Sequence, residues 1–341
     1  MCMIKLLDES NYSRWDEFVQ QNTDATFFHQ AGWKVVIEKA FGHKTYFFYV
    51  EKKGKITGIL PLVHINSLLF GNTLVSLAPC VYGGVVASDT QSYIELNEKA
   101  CHLANELGVN CLEIRNKAQK YPDRPYKELY VYFRKELDAD IDKNFLAIPR
   151  KQRAMVRKGI EAGLTSVIDT NVDSIYTAYS ESVRNLGTPV FSKKYFQILK
   201  DVFGHQCEVL SVLYNGQLIA SVMSFYFKDE ILPYYGGGTD LSRILKGNDF
   251  MYWEVMRRAV EKGIKVFDFG RSKIGTGSYS FKKNWGFLPQ QLYYEFYLVK
   301  STSIPDVNTL NPKYKFFIAA WKRLPLSISQ VIGPFLAKNL S

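Results

Sequence analysis

The apolar positions change their period along the chain, and each change predicts an element. Between residues 10 and 40 they recur at helical spacing. Tyr12, Trp15, Phe18 and Val19 form one stripe behind a capping Ser10, and Trp33, Val36, Ile37 and Ala40 form another. The pattern then turns to strands, 44–51 and 55–65, around a hairpin turn at Lys52-Lys53-Gly54. A strand over 74–80 runs toward Tyr82-Gly83-Gly84. A helix follows over 95–107, then short strands at 111–114 and 129–133. Near the end, Val266-Phe267-Asp268-Phe269 reads as a buried strand closing in Gly270-Arg271-Ser272. Gly275-Thr276-Gly277 ends one element and starts another, and residues 292–298 read as a last strand rich in aromatic and β-forming residues.

The order of elements repeats. Phe41-Gly42-His43 returns as Phe203-Gly204-His205, and the hairpin around Gly54 returns around Gly216 at the same spacing. Tyr82-Gly83-Gly84 returns as Tyr235-Gly236-Gly237. The stretch from Gly108 to Glu113 returns from Gly263 to Asp268. Four landmarks in one order argue for a duplicated unit of two helices, antiparallel strands, a helix and a strand, an α/β order with a mixed sheet. The polar stretch from Lys135 to Asp142 and the break at Pro149 place a boundary, giving domains over 1–140 and 141–300. The tail, 301–341, is different. Tyr314, Phe317, Ile318 and Trp321 are interleaved with Lys313, Lys315, Lys322 and Arg323. Beyond Pro325 come Leu326, Ile328, Val331, Ile332, Phe335, Leu336 and Leu340. Two amphipathic helices fit this pattern, lying on a membrane surface or packed on the protein.

Composition narrows the classes. The 341 residues suit two domains, and 47% hydrophobic against 22% charged residues describes a packed globular protein. The formal charge of +10 favours anionic partners such as nucleic acid, acidic headgroups or phosphorylated substrates. Cys2, Cys80, Cys101, Cys111 and Cys207 are odd in number with no C-x-x-C pair, so reduced thiols in the cytoplasm are expected. The five histidines show no ligand spacing, and no metal is expected. The first fifteen residues turn polar too early for a signal peptide, and no apolar run approaches the roughly 20 residues of a membrane helix.

Four constellations carry chemistry. Arg150, Arg153 and Arg157 fall on one helical face, and an anion would relieve their repulsion. A solvated basic helix fits the same pattern. Arg184 stands before the rigid Gly187-Thr188-Pro189 turn and, with Thr188, is a candidate for binding carboxylate or phosphate. Tyr235 and Gly236 open a glycine run where backbone can approach a ligand closely. The fourth is Phe281-Lys282-Lys283-Asn284-Trp285-Gly286-Phe287, two cations between aromatics, with Asp268 and Arg271 at the end of the strand before it. A carboxylate there orients or deprotonates an amine, or else braces the loop against Arg271. Trp285 reads as core or as pocket wall.

The stretch from Asp268 to Phe287, DFGRSKIGTGSYSFKKNWGF, resembles the C-terminal motif of the Fem-type (FemAB/FemX-like) transferases, known from peptidoglycan bridge formation. It is most similar to the subgroup found with exosortase (PEP-CTERM) and exopolysaccharide clusters. Phe27-Phe28-His29-Gln30-Ala31-Gly32-Trp33 resembles the early Fem motif, and Arg184-Asn185-Leu186-Gly187-Thr188-Pro189-Val190-Phe191 a subgroup motif; the resemblance runs from about Phe27 to Leu298. It implies a tandem pair of acetyltransferase-like (GNAT) domains. The activity implied is acyl or aminoacyl transfer to an amine of a cell-envelope or exopolysaccharide precursor. It gives Lys282 the stabilisation of the oxyanion, with Lys283 as its neighbour, and sets the Arg150–Arg157 helix against an anionic substrate or transfer RNA.

Coenzyme A-dependent members of the wider fold carry R/Q-x-x-G-x-G/A before a helix. Here Arg243 to Asp249 is off by one, with an acid beside the would-be pyrophosphate. The donor implied is therefore aminoacyl-tRNA, with acyl-coenzyme A as the alternative and no permanently bound cofactor. The helical-hairpin insertion of some members has no counterpart. Neither has the lysine that peptidoglycan-linked members place after the tryptophan matching Trp33, where Ile37 and Glu38 stand; that counts against a UDP-peptide acceptor. The first domain keeps Glu113 and Arg115 but no lysine pair follows. One active centre is expected, in the second domain near its boundary with the first, in a cytoplasmic protein able to touch the inner membrane face through 311–341. The rival class is a non-catalytic binding component of an envelope-assembly system.

Overall fold

The computed structural model describes residues 3–67, 70–305 and 315–339; Cys2, Lys313, Tyr314 and Leu340 lie outside them. The chain begins with β1 (Met3–Leu6), α1 (Tyr12–Gln21) and α2 (Gly32–Phe41). It continues through β2 (Lys44–Lys52), β3 (Lys55–Ser67), β4 (Gly71–Ser76), β5 (Val86–Ala87), α3 (Thr90–Glu106), β6 (Cys111–Asn116), β7 (Tyr126–Lys127) and β8 (Tyr130–Glu136). Next come α4 (Ile141–Ala147), α5 (Arg150–Glu161), β9 (Thr165–Asp169), α6 (Asp173–Leu186), α7 (Lys193–Phe203), β10 (Cys207–Tyr214), β11 (Gln217–Phe227) and β12 (Glu230–Gly238). Last are α8 (Asp240–Leu245), α9 (Gly247–Glu261), β13 (Val266–Lys273), α10 (Gly277–Asn284), β14 (Pro289–Gln291), β15 (Tyr293–Leu298), α11 (Lys315–Lys322) and α12 (Leu326–Ala337).

Two compact units result. The first holds the chain to Tyr130 and a return segment from Gln291, and the second holds Val131–Gln290 with the tail helices. The first sheet runs β1-β2-β3-β4-β6-β15-β7, with β5 on β3, and the second β14-β8-β13-β12-β11-β10-β9. Both are mixed α/β layers. Phe47, Phe48, Tyr49 and Val50 in β2 are all buried, as are Ile219 to Phe225 in β11. Continuous burial replaces the two-residue alternation because helices cover both faces of each sheet. In the first unit Trp15 of α1 stacks on Phe47 from one side, while Phe48, Val50, Leu62 and Leu112 pack with Leu96 and Ala100 of α3 on the other.

The repeat is visible in the backbone. Lys53 and Gly54 both have positive φ (49° and 77°), and Asn215 and Gly216 have 49° and 80°. Each pair makes the two-residue turn that matches strand twist. Gly108 and Gly263 both leave a helix with positive φ before the central strand. One landmark differs, since Tyr82-Gly83-Gly84 lies in a loop past β4 whereas Tyr235-Gly236-Gly237 is inside β12. The helix expected over 95–107 starts earlier, at Thr90, because Asp89 caps it through Ser92 N at 2.8 Å.

The boundary expected near 140 differs from the observed division. Strand β8 follows β6 in the chain but joins the second sheet beside β13, and β15 follows β13 but pairs antiparallel with β6 from Tyr293↔Asn116 to Leu298↔Cys111. Each half of the chain thus lends its closing strand to the sheet of the other half. Strand character is local, but the choice of partner is not, because a strand takes whichever edge matches its register and face. Nor is the tail a separate body. It lies on α6, where Ile318 packs on Gly187 and Gly333 meets the Val190 backbone, so close that a Cβ on Gly187 would fall 2.4 Å from Ile318.

Helix α6 also sits tightly on β12. A Cβ on Gly237 would lie 2.5 Å from the Ala178 carbonyl oxygen and 2.7 Å from Tyr179 Cα, both main-chain atoms. Gly237→Ala should therefore cost about 1–3 kcal/mol, since backbone cannot move aside as a side-chain tip can. Urea unfolding of the variant checks this; an unchanged midpoint would mean that α6 is free to shift.

Candidate active site

The second sheet opens between β12 and β13. Strands β12 and β13 are parallel and pair only at Glu230↔Val266 and Ile231↔Phe267. Beyond that, β12 bulges against β11: Met223 faces Tyr235 and Ser224 faces Pro233, so Tyr234 is the extra residue. Pro233 has no N–H to give a ladder. The two strands diverge, and the C-terminal end of β13 carries the polar groups named from the sequence. In open α/β sheets such a parting of parallel strands is where ligands are met.

Residues 277–284 form a helix, α10, started by Thr276, whose side chain accepts from Tyr279 N. It carries Lys282 back to the end of β13. Lys282 Nζ donates to the carbonyls of Phe269 (2.6 Å), Gly270 (3.3 Å) and Arg271 (2.9 Å), over the rings of Phe133 and Phe269. The three carbonyls converge because Gly270 bends the strand at φ 66°. Its amide donates to Asp268 Oδ1 at 2.7 Å, which makes Asp268 a brace of this bend. Burial pushes the Lys282 pKa down to about 7, Asp268 opposes and Arg271 adds to the fall. The carbonyls favour the charged form as well. Burial also raises the pKa of Tyr132, with Asp268 adding to the rise.

The first unit shows the same parting filled in. Its parallel pair, β4 and β6, ends at Val75↔Glu113. Past that point Ser76 Oγ accepts from Arg115 N, and the buried Arg115 side chain bonds Glu113 Oε1 (2.8 Å) and the Cys80 carbonyl under the Tyr294 ring. In the repeat Arg115 corresponds to Gly270. Where one unit has an arginine side chain, the other has none, and the carbonyls at the end of its strand are met by Lys282 instead.

The remaining candidates scatter. Trp285 is wholly buried and its Nε1 donates to Asp249 Oδ1 at 3.0 Å; Gln152 donates to the same oxygen at 3.1 Å. Trp285 is therefore core. Asp249 faces inward rather than toward a pyrophosphate, and burial raises its pKa against those two donors. The first turn of α9 is covered by α8, since a Cβ on Gly247 would lie 2.7 Å from Ser242 Oγ, and Ser242 Oγ also meets Asn248 Oδ1 at 3.3 Å. The start of α9 thus has no room for a side chain at Gly247.

On α5, Arg150 is exposed, Arg153 turns to the Leu146 and Ile148 carbonyls, and Arg157 lies over the Phe145 ring at 5.5 Å. Arg184 donates to the Leu324 carbonyl of the tail at 3.3 Å; Thr188 forms the turn through its amide to Val183 O. Tyr235 is buried, with its hydroxyl 2.7 Å from that of Tyr195. Lys283 is exposed on α10. Sequence reading missed Tyr252 of α9. Its ring lies 4.9 Å from Phe269 of β13, and its hydroxyl is 2.9 Å from where a Cβ on Gly236 of β12 would stand. The only signal for it was the glycine at 236, since a helix residue that reaches a strand needs a place without a side chain.

Comparison with known proteins places this geometry. Residues 150–283 match the family model described as an acetyltransferase (GNAT) domain. Among solved structures, FemX is similar over 93% of this chain and 100% of its own, at 14% identity and a TM-score of 0.65. A tandem GNAT protein from the clavulanic acid biosynthesis pathway is similar over 89% of this chain and 100% of its own, at 13% identity and 0.56. L-PGS from Bacillus licheniformis is similar over 96% of this chain and 98% of its own, at 13% identity and 0.54. No curated protein matches in sequence. The protein has the tandem GNAT fold, and its second half carries an acyltransferase domain.

Asp249→Ala would leave two buried donors, Trp285 Nε1 and Gln152 Nε2, without an acceptor. A loss of about 2 kcal/mol or more is expected, with a shift in tryptophan emission. Stability within error of the parent in thermal unfolding would contradict the bracing role.

Proposed function

We propose that the protein is a FemX-like aminoacyl or acyl transferase that forms an amide on an amine of a cell-envelope or exopolysaccharide precursor, with aminoacyl-tRNA as donor. The observation that carries this reading is the pairing of a lysine at the open end of β13 with a closed junction at the start of α9. The first supplies a cation for acyl transfer; the second, packed on α8 with Asp249 turned inward, counts against a coenzyme A pyrophosphate at that helix start. The first turn of α5 adds support. Arg150 and Lys151 stand exposed at the positive end of a helix dipole with no acid in that turn, an arrangement that bound phosphate relieves. The exosortase-associated subgroup and a cytoplasmic site of action remain part of this reading.

In the transfer, the acceptor nitrogen attacks the ester carbonyl of the donor, and the new C–N bond forms as the carbonyl becomes an oxyanion. Lys282 receives that charge, the oxyanion taking the place of the Gly270 carbonyl, the longest of its three contacts. The C–O bond to the ribose then breaks, and a proton passes, in balance, from the nitrogen to the leaving oxygen. Asp268 holds the bend that aims Lys282, and Arg271 adds positive charge beside it.

Lys282→Ala should lower kcat roughly 100- to 1,000-fold with the fold intact by circular dichroism. Because the charged form does the work and burial brings the pKa to about 7, the rate should fall as pH rises through that value, and the residual rate of Lys282→Met should lack this limb. A titration at fixed salt with charged tRNA, uncharged tRNA and acetyl-coenzyme A identifies the donor. Saturable preference for charged tRNA is expected, and tight coenzyme A binding instead would replace this donor with an acyl thioester.

A further inference from the structure

The last helix, α12, presents its residues in an order opposite to that of a surface helix in water. On α12 the buried positions are Ser329, Gly333 and Ala337, small residues four apart that let the helix lie close on the second unit. The outward positions are Ile328, Val331, Ile332 and Phe335, at i, i+3, i+4 and i+7, with Val331 67% and Phe335 68% exposed. On α11, Phe316 is 90% exposed. A helix normally turns its large apolar residues inward and its polar residues out, and a contiguous outward patch of this kind marks a contact surface.

The charges around the patch name the contact. From Lys315 to Asn339 the chain carries Lys315, Lys322, Arg323 and Lys338, all exposed, and no acidic residue. A second copy of the chain would bring two such sets of cations face to face, which is repulsive. Twelve residues of helix span about 18 Å, too short to cross a bilayer, and among the described residues no helix is long and apolar enough to do so. We propose that the outer face of α11 and α12 seats on the surface of an anionic phospholipid bilayer. The apolar stripe enters the headgroup–acyl boundary and the four cations meet lipid phosphates. The inner face stays on α6, so docking requires no unfolding of the tail. The proposal does not depend on the donor or on the transfer reaction.

The test is co-sedimentation of the full chain with vesicles of phosphatidylcholine containing phosphatidylglycerol and with vesicles of phosphatidylcholine alone. Binding to the anionic vesicles is expected, weakening with salt, and at least about tenfold weaker to neutral ones. Val331→Ser with Ile332→Ser removes apolar surface without changing charge. It should weaken binding about tenfold or more while leaving the melting temperature in place, because both side chains are exposed. Phe316→Ser on the other helix is the second variant should the double change perturb folding. Absence of wild-type binding to either vesicle would overturn the proposal. So would undiminished binding by folded serine variants, which would reduce the effect to bulk charge. A dimer in sedimentation velocity that the serine pair dissolves would assign the face to a second copy instead.

Discussion

The parting of β12 from β13 is the constraint on which the second unit depends. Two parallel strands that stay paired leave no room for chemistry, and two that separate leave backbone groups to be satisfied. Here the separation starts after two residue pairs, at a proline and a bulge, and the exposed carbonyls of β13 are met by one lysine from α10. A buried polar group without a partner costs about 1–3 kcal/mol, so the lysine is structural and chemical at once. It satisfies the carbonyls at rest, and its proximity to Asp268 and Arg271 tunes its charge.

The first unit closes its parallel pair in another way. Its parallel strands stay together one residue pair longer, to Val75↔Glu113, and beyond that the gap is closed by a buried Glu113–Arg115 pair, a cysteine carbonyl and a tyrosine ring. Such a pair is a filler rather than a source of large stability, because desolvation consumes much of the attraction. The contrast between Arg115 and Gly270 is a single position in a duplicated frame. Arg115 fills the end of its strand, and Gly270 bends the end of the other.

Bracing explains why several residues with the chemistry of a site are not in it. Asp249, Trp285 and Gln152 form one buried hydrogen-bonded group that joins α5, α9 and the end of α10. Arg153 ties α5 to the carbonyls ending α4. These residues position the lysine-bearing helix without touching the opening. Their side chains are those a binding site uses, and their direction, not their type, decides the role.

Much was legible in local pattern. The two hairpins, the strand reaching Phe269 and the break at Gly275-Thr276-Gly277 all followed from period and turn chemistry, because those signals act over a few residues. Duplication was legible because it repeats such signals in order. Sequence by itself determined many of the elements, the order in which they repeat and most of the residue types able to do chemistry. Only the tertiary structure decided that β8 and β15 change sheets, that Asp249 and Trp285 turn inward, that Arg184 meets the tail, and that Lys282 finds three carbonyls. The physical reason is common to all of these. Each depends on a partner far along the chain, and one residue's periodicity carries its own face and exposure but not the identity of what packs against it.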